Sequence, residues 1–136
     1  MRIDLVVRGN CSLVTGIAGK SDNIRIVGII DRYLEHARIF QFCAAGEDKM
    51  FIGSADWMPR NLNSRIEVVT PVYDPAIKDD LKQVIDYALR DNQQGRIVDG
   101  TGRNLPWHTG DDAAPFRSQE ALYEHYRNME AEEAAQ

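Results

Sequence analysis

The sequence is short of most features that would place it at a glance. It has two cysteines, Cys11 and Cys43, in 136 residues. They lack CxxC spacing and are too few for a disulfide scaffold or a cysteine metal site, so both are expected as reduced thiols in or near the core. No apolar run approaches the roughly 20 residues needed to span a bilayer, and the opening residues Met1-Arg2-Ile3-Asp4 start no secretory signal. The cytoplasm is the expected location. Basic residues are also in deficit, 16 Lys and Arg against 21 Asp and Glu, a formal charge of −5. Nucleic-acid binding by bulk charge is therefore disfavoured, and a polyanion would have to be met by a local group of arginines.

The length suits one compact domain. Alternation of Ile3, Leu5 and Val7 predicts a strand almost from the first residue. Residues 9–23 hold Gly9, Gly16 and Gly19, too glycine-rich for a helix and long for a turn. Residues 24–30 read as a second strand, apolar enough to be covered on both faces. A short helical turn is expected at 31–35, then a hairpin of 37–42 and 49–54 around Ala44-Ala45-Gly46-Glu47-Asp48. Residues 55–64 read as a loop interrupted by Pro59, and 65–70 as a strand.

Asp74-Pro75 is a strong helix start, with Asp as N-cap and Pro in the first turn. Ile77, Leu81, Val84, Ile85, Ala88 and Leu89 form one stripe, so this helix should pack on a sheet. Beyond it the chain is polar and glycine-rich to about residue 117, with a short strand near 96–98. Ser118 is placed to cap a final helix bearing Leu122, Tyr126 and Met129 on one face. The expected fold is α/β, a mixed sheet with flanking helices. Only one good helix follows the strands, so the chain reads as part of a larger domain.

Four groups of residues suggest chemistry. His36 and Arg38 alternate and so share a face, where a cation beside a proton carrier suits an oxyanion; the plain alternative is a surface histidine at a strand entrance. Gly53-Ser54-Ala55-Asp56-Trp57-Met58-Pro59-Arg60-Asn61-Leu62 follows a strand end, where small residues let backbone N–H groups approach a ligand. A purely structural loop is the competing reading. Arg65 and Glu67 alternate, and Glu67 is suited to orient a histidine or arginine, or merely to form an exposed ion pair. Arg8 ends the first strand, where ligands of open α/β sheets collect. Arg8, His36, Arg65 and Glu67 are expected to converge on one sheet edge.

Together these segments resemble the C-terminal domain of the long-form polyphosphate kinases. The resemblance rests on residues 3–13, 21–25, 31–36, 53–62 and 65–68, in that order, and extends to about residue 90. It implies a phospholipase D-like fold occupying 1–110 without its N-terminal portion, followed by a helix and tail at 111–136. In that superfamily a His-x-Lys, an Asp and a Gly-Ser-x-Asn turn recur. Here His36-Ala37-Arg38 and Gly53-Ser54-Ala55-Asp56 stand in their places, with Cys43 where the Asp is expected, which disfavours phosphodiester hydrolysis.

The resemblance further implies transfer of the terminal phosphate of ATP to inorganic polyphosphate, reversibly, through a phosphohistidine upstream of this chain. His36 would contact ATP and protonate the leaving oxygen. Arg8 and Arg65 would bind ATP phosphates, and Glu67 would be a further active-site residue. Mg2+ would act in the full enzyme from residues outside this chain, which would be incomplete and inactive alone. The full enzyme is expected to be a homo-oligomer, with possible membrane association and no nucleic-acid partner. The alternative is a stand-alone module that binds nucleotide or polyphosphate without turnover.

Overall fold

The computed structural model describes residues 1–9, 11–108 and 114–134. Asn10 and the expected start of the tail at residue 111 lie outside them. The chain divides into two compact units, Met1–Leu34 with Val84–Gln136, and Glu35–Gln83. It is α/β, as expected, with two three-stranded sheets among the described residues rather than one.

In the first unit β1 (Ile3–Val7) lies parallel to β2 (Ile24–Gly28), in register from Ile3 opposite Ile24 to Val7 opposite Gly28. A short strand at Arg96–Ile97 pairs antiparallel on the other side of β2, making the sheet mixed. As the central strand, β2 buries Ile26 and Val27 almost completely, at 1% and 0% exposure. Parallel strands usually need a helical crossover. Here the connection closes on itself instead, with the Ser21 hydroxyl donating to the Val14 carbonyl and accepting from the Ile17 N–H.

The helical turn expected at 31–35 does not form. Its backbone is claimed from outside: the Gln119 side chain accepts from the Tyr33 N–H and donates to the Tyr33 carbonyl. The Asp31 carboxylate meanwhile takes the Arg117 guanidinium and the Arg32 N–H. Those contacts satisfy groups that an i→i−4 helix would otherwise need.

The second unit carries a sheet of β3 (Ile39–Ala44), β4 (Glu47–Gly53) and β5 (Val69–Val72), antiparallel throughout. The hairpin turn is tighter than expected, with only Ala45 and Gly46 between the strands, both at positive φ, 54° and 93°. Cys43 is exposed rather than buried, because it sits at the end of an edge strand, where its thiol donates to Asp48. Met50 and Val72 are the buried side chains of this sheet.

Two expectations in this unit give way. Pro59 starts a helix, α1 (Pro59–Ser64), rather than interrupting a loop; its missing N–H and fixed φ suit a first helical position. The strand expected at 65–70 begins only at Val69, so Arg65 and Glu67 are not on a paired strand face.

The long helix α2 (Pro75–Arg90) begins as expected, with Asp74 accepting from the Ala76 and Ile77 N–H groups. Its apolar stripe is only half-covered, and Ile77 remains 52% exposed. The last helix, α3 (Ser118–Ala134), starts where expected, but Ser118 does not cap it. Both its N–H and its hydroxyl donate to Asp91 instead.

Candidate active site

In the second unit the chain enters β3 through His36-Ala37-Arg38. The alternation places the His36 and Arg38 side chains together, and they touch. Nδ1 and Nε2 of the imidazole each lie 2.7 Å from a terminal nitrogen of the guanidinium. A guanidinium only donates, and an imidazole has at most one nitrogen lone pair to accept with. At most one of the two contacts is therefore a hydrogen bond. Arg38 also donates from Nη1 to the His36 carbonyl at 2.8 Å, fixing the ring to its own backbone.

The other side of Arg38 is held by Asp56, two residues beyond Ser54. One oxygen, Oδ1, accepts from both Nε (3.1 Å) and Nη2 (2.7 Å). The Arg38 side chain is 15% exposed and that of Asp56 41%. The Arg38 hydrogen bond holds the Asp56 carboxyl below its usual range, with smaller help from the charges of Arg38, His36 and Arg60. His36, Arg38 and Asp56 thus form a line, from an exposed imidazole to a fixed carboxylate.

Glu67 belongs to a second network. Ser54 Oγ donates to one of its oxygens, and Asn61 Nδ2 donates to the other at 2.8 Å. The Val68 N–H in turn donates to Ser54 Oγ, and the Ser54 N–H to the Val68 carbonyl. Bonds from Ser54 and then Asn61 hold the Glu67 carboxyl below its ordinary value of 4.5. Glu67 was expected to orient a histidine or an arginine. Its two oxygens instead lock α1 and the end of β4 to the segment leading into β5. Asp56, not Glu67, is the acid that orients Arg38.

Gly53 eases this closeness, since a Cβ there would sit tightly, 3.2 Å from the Val68 carbonyl oxygen. Asn61 is buried, at 3% exposure, with its Oδ1 without a hydrogen-bond partner.

Arg65 is exposed in the same unit, beside the Glu67 charge. Arg8 is exposed just past β1, in the first unit. Among the described residues neither makes an ion pair or a side-chain hydrogen bond. Because there are two sheets, the four expected residues do not share one sheet edge. Arg38, Asp56, Ser54 and Asn61 carry most of the site's internal contacts. Their signal in the sequence is their place in the His36-Ala37-Arg38 string and in the run from Gly53 to Leu62.

The sequence profile of the family described as polyphosphate kinase C-terminal domain 2 matches residues 1–119. The chain belongs to the polyphosphate kinase family. It is 45% identical over 123 residues to the polyphosphate kinase of Rhodopirellula baltica, covering 90% of this chain and 14% of that protein. It is 40% identical over 131 residues to that of Escherichia coli K12, covering 96% of this chain and 19% of that protein. Among solved structures, the crystal structure of polyphosphate kinase from Porphyromonas gingivalis superposes with a TM-score of 0.88 at 41% identity. That match covers 96% of this chain and 20% of the other. The chain thus spans a fifth or less of the length of these polyphosphate kinases.

Proposed function

We propose that this chain supplies the ATP-side part of a polyphosphate kinase active site, within a larger enzyme that transfers the terminal phosphate of ATP to polyphosphate. The observation that carries this reading is the exposed His36 imidazole, held against Arg38, which Asp56 braces, inside a segment of this family. Phosphoryl transfer asks the protein mainly for positioning and charge neutralisation. Arg8 and Arg65, without ion pairs among the described residues, fit the role of phosphate ligands. His36 is suited to give a proton to the leaving ADP oxygen. Glu67 shapes the site through Ser54 and Asn61. The phosphate-carrying histidine would be supplied from outside this chain, and the reaction would be reversible.

The phospholipase D-like character of the fold belongs to the same proposal. So does the division into a domain at 1–110 and an appended helix and tail at 111–136. Among the described residues no three His, Cys, Asp or Glu side chains are grouped to hold a metal ion. In the full enzyme Mg2+ would be held by residues outside this chain. Among them too, no helix is long and apolar enough to cross a membrane; a cytoplasmic enzyme is part of the proposal.

The test is ATP-dependent polyphosphate formation by a full-length polyphosphate kinase carrying this segment. His36→Ala should cut turnover by about 10²- to 10⁴-fold, the range for loss of a general acid. Normal turnover in His36→Ala would overturn the assignment of that residue.

A further inference from the structure

We infer that Asp56 is a positioning residue for His36, acting through Arg38. The inference rests on the reading that His36 acts at the reaction centre, and it assigns a role to a carboxylate that reaches the ring only through Arg38.

Three observations carry it. Asp56 Oδ1 takes both Nε and Nη2 of Arg38, which fixes the guanidinium plane and not merely its charge. The same guanidinium presents its terminal nitrogens to the His36 ring and donates to the His36 carbonyl. Arg38 is mostly buried while His36 is exposed, so the ring's rotamer is set from beneath by a group that cannot swing away. A guanidinium bonded in this way is not an open phosphate ligand. Without Asp56 it would be a largely buried charge lacking its partner, and it would be drawn to the nearest anion, which during turnover is the substrate. Asp56 thus keeps Arg38 turned to the histidine and leaves phosphate binding to other arginines.

The proposal is tested with Asp56→Asn, Asp56→Glu, Arg38→Ala and the Asp56→Asn/Arg38→Ala pair in a full-length polyphosphate kinase carrying this segment. Misplacing a reacting group by about 1 Å costs on the order of 100-fold. Asp56→Asn should therefore lower kcat by about 10- to 100-fold, with the KM for ATP little changed. Asp56→Glu should recover part of that loss, and in the Arg38→Ala background Asp56→Asn should add nothing. Losses that multiply would show Asp56 acting independently of Arg38 and overturn the inference, as would an unchanged kcat in Asp56→Asn.

His36→Ala separates the two levels. If it turns over normally, the reading of His36 fails and takes this inference with it. If it is dead while Asp56→Asn is normal, only the inference fails. A readout free of activity comes from the 136-residue chain. The Arg38 Nε–H should exchange slowly with water, and Asp56→Asn should speed that exchange at an unchanged thermal midpoint. Persisting protection in the variant would overturn the link.

Discussion

Asp91 and Ser118 lie 27 positions apart and are joined twice, through the Ser118 N–H at 2.8 Å and its hydroxyl at 2.7 Å to the same carboxylate oxygen. The other oxygen of Asp91 accepts from the N–H groups of Gln93, Gln94 and Gly95. A single side chain, with no exposed surface, therefore ends one helix and starts another. Asp91→Ala would orphan four backbone donors. Its cost should be roughly 3 kcal/mol, the upper range for lost bonds to a charged acceptor, read as a fall in the urea midpoint.

The same carboxylate makes the first unit sensitive to acid. Burial alone would raise the Asp91 pKa, but bonds from Gln94, Ser118 and Gln93 outweigh it and hold it below the ordinary 3.8. A depressed acid contributes stability that is complete above its unfolded value and is lost as pH falls through its folded one. Arg117 holds Asp31 down in the same sense. Loss of α3 on acidification should thus begin only below about pH 3.8. In Asp91→Asn the acid transition, followed by circular dichroism, should become shallower.

Glu67 ties Ser54 to Asn61, so Glu67→Ala should loosen residues 53–68 without unfolding the sheet. The Val68 N–H, which donates to Ser54 Oγ, is the local probe. Its hydrogen exchange should accelerate in the variant, while that of the β3–β4 ladder stays unchanged.

Ala45 holds φ of 54° in a two-residue hairpin turn, a conformation that costs an L-residue with a Cβ. Asn-Gly is the preferred pair for such a turn. Ala45→Asn should raise stability by about 0.5–1 kcal/mol, visible as a higher thermal midpoint.

Gly95 is a position of close approach rather than unusual φ. A Cβ there would lie 2.4 Å from the Asp91 carbonyl oxygen and 3.1 Å from Trp107 Cβ. The backbone would have to move. Gly95→Ala should therefore cost roughly 2 kcal/mol, as overpacking does, and should broaden the Trp107 indole signal.

For the proposed ATP site, Arg8→Ala should raise the KM for ATP by about 10- to 100-fold, the worth of a charged hydrogen-bonded contact. Arg8→Lys should recover only part of this, because a point charge does not replace a two-pronged donor. Equal KM values in all three proteins would remove Arg8 from the site.

Elements governed by local chemistry were legible in advance. Asp74-Pro75 specifies the start of α2, the alternation from Ile3 makes β1, and the apolar 24–30 run supplies the central strand, which ends at Gly28. The family was legible as well, since the 53–62 string and its neighbours are distinctive as wording. Helix α1 was missed because Pro59 reads equally as a loop breaker or as a first helical residue. No helical turn forms at 31–35 because Gln119, far along the chain, takes the Tyr33 backbone while Arg117 takes the Asp31 carboxylate.

Sequence alone thus determined the family and the class of fold, because these depend on residue type and near-neighbour spacing. The tertiary structure decided which acid serves which base. Asp56 and Glu67 are both carboxylates beside small and polar residues, and nothing local says that one takes Arg38 and the other takes Ser54 and Asn61. That choice depends on how the end of β4 lies against the segments on either side of it, a long-range arrangement set by strand pairing and by the room that Gly53 leaves.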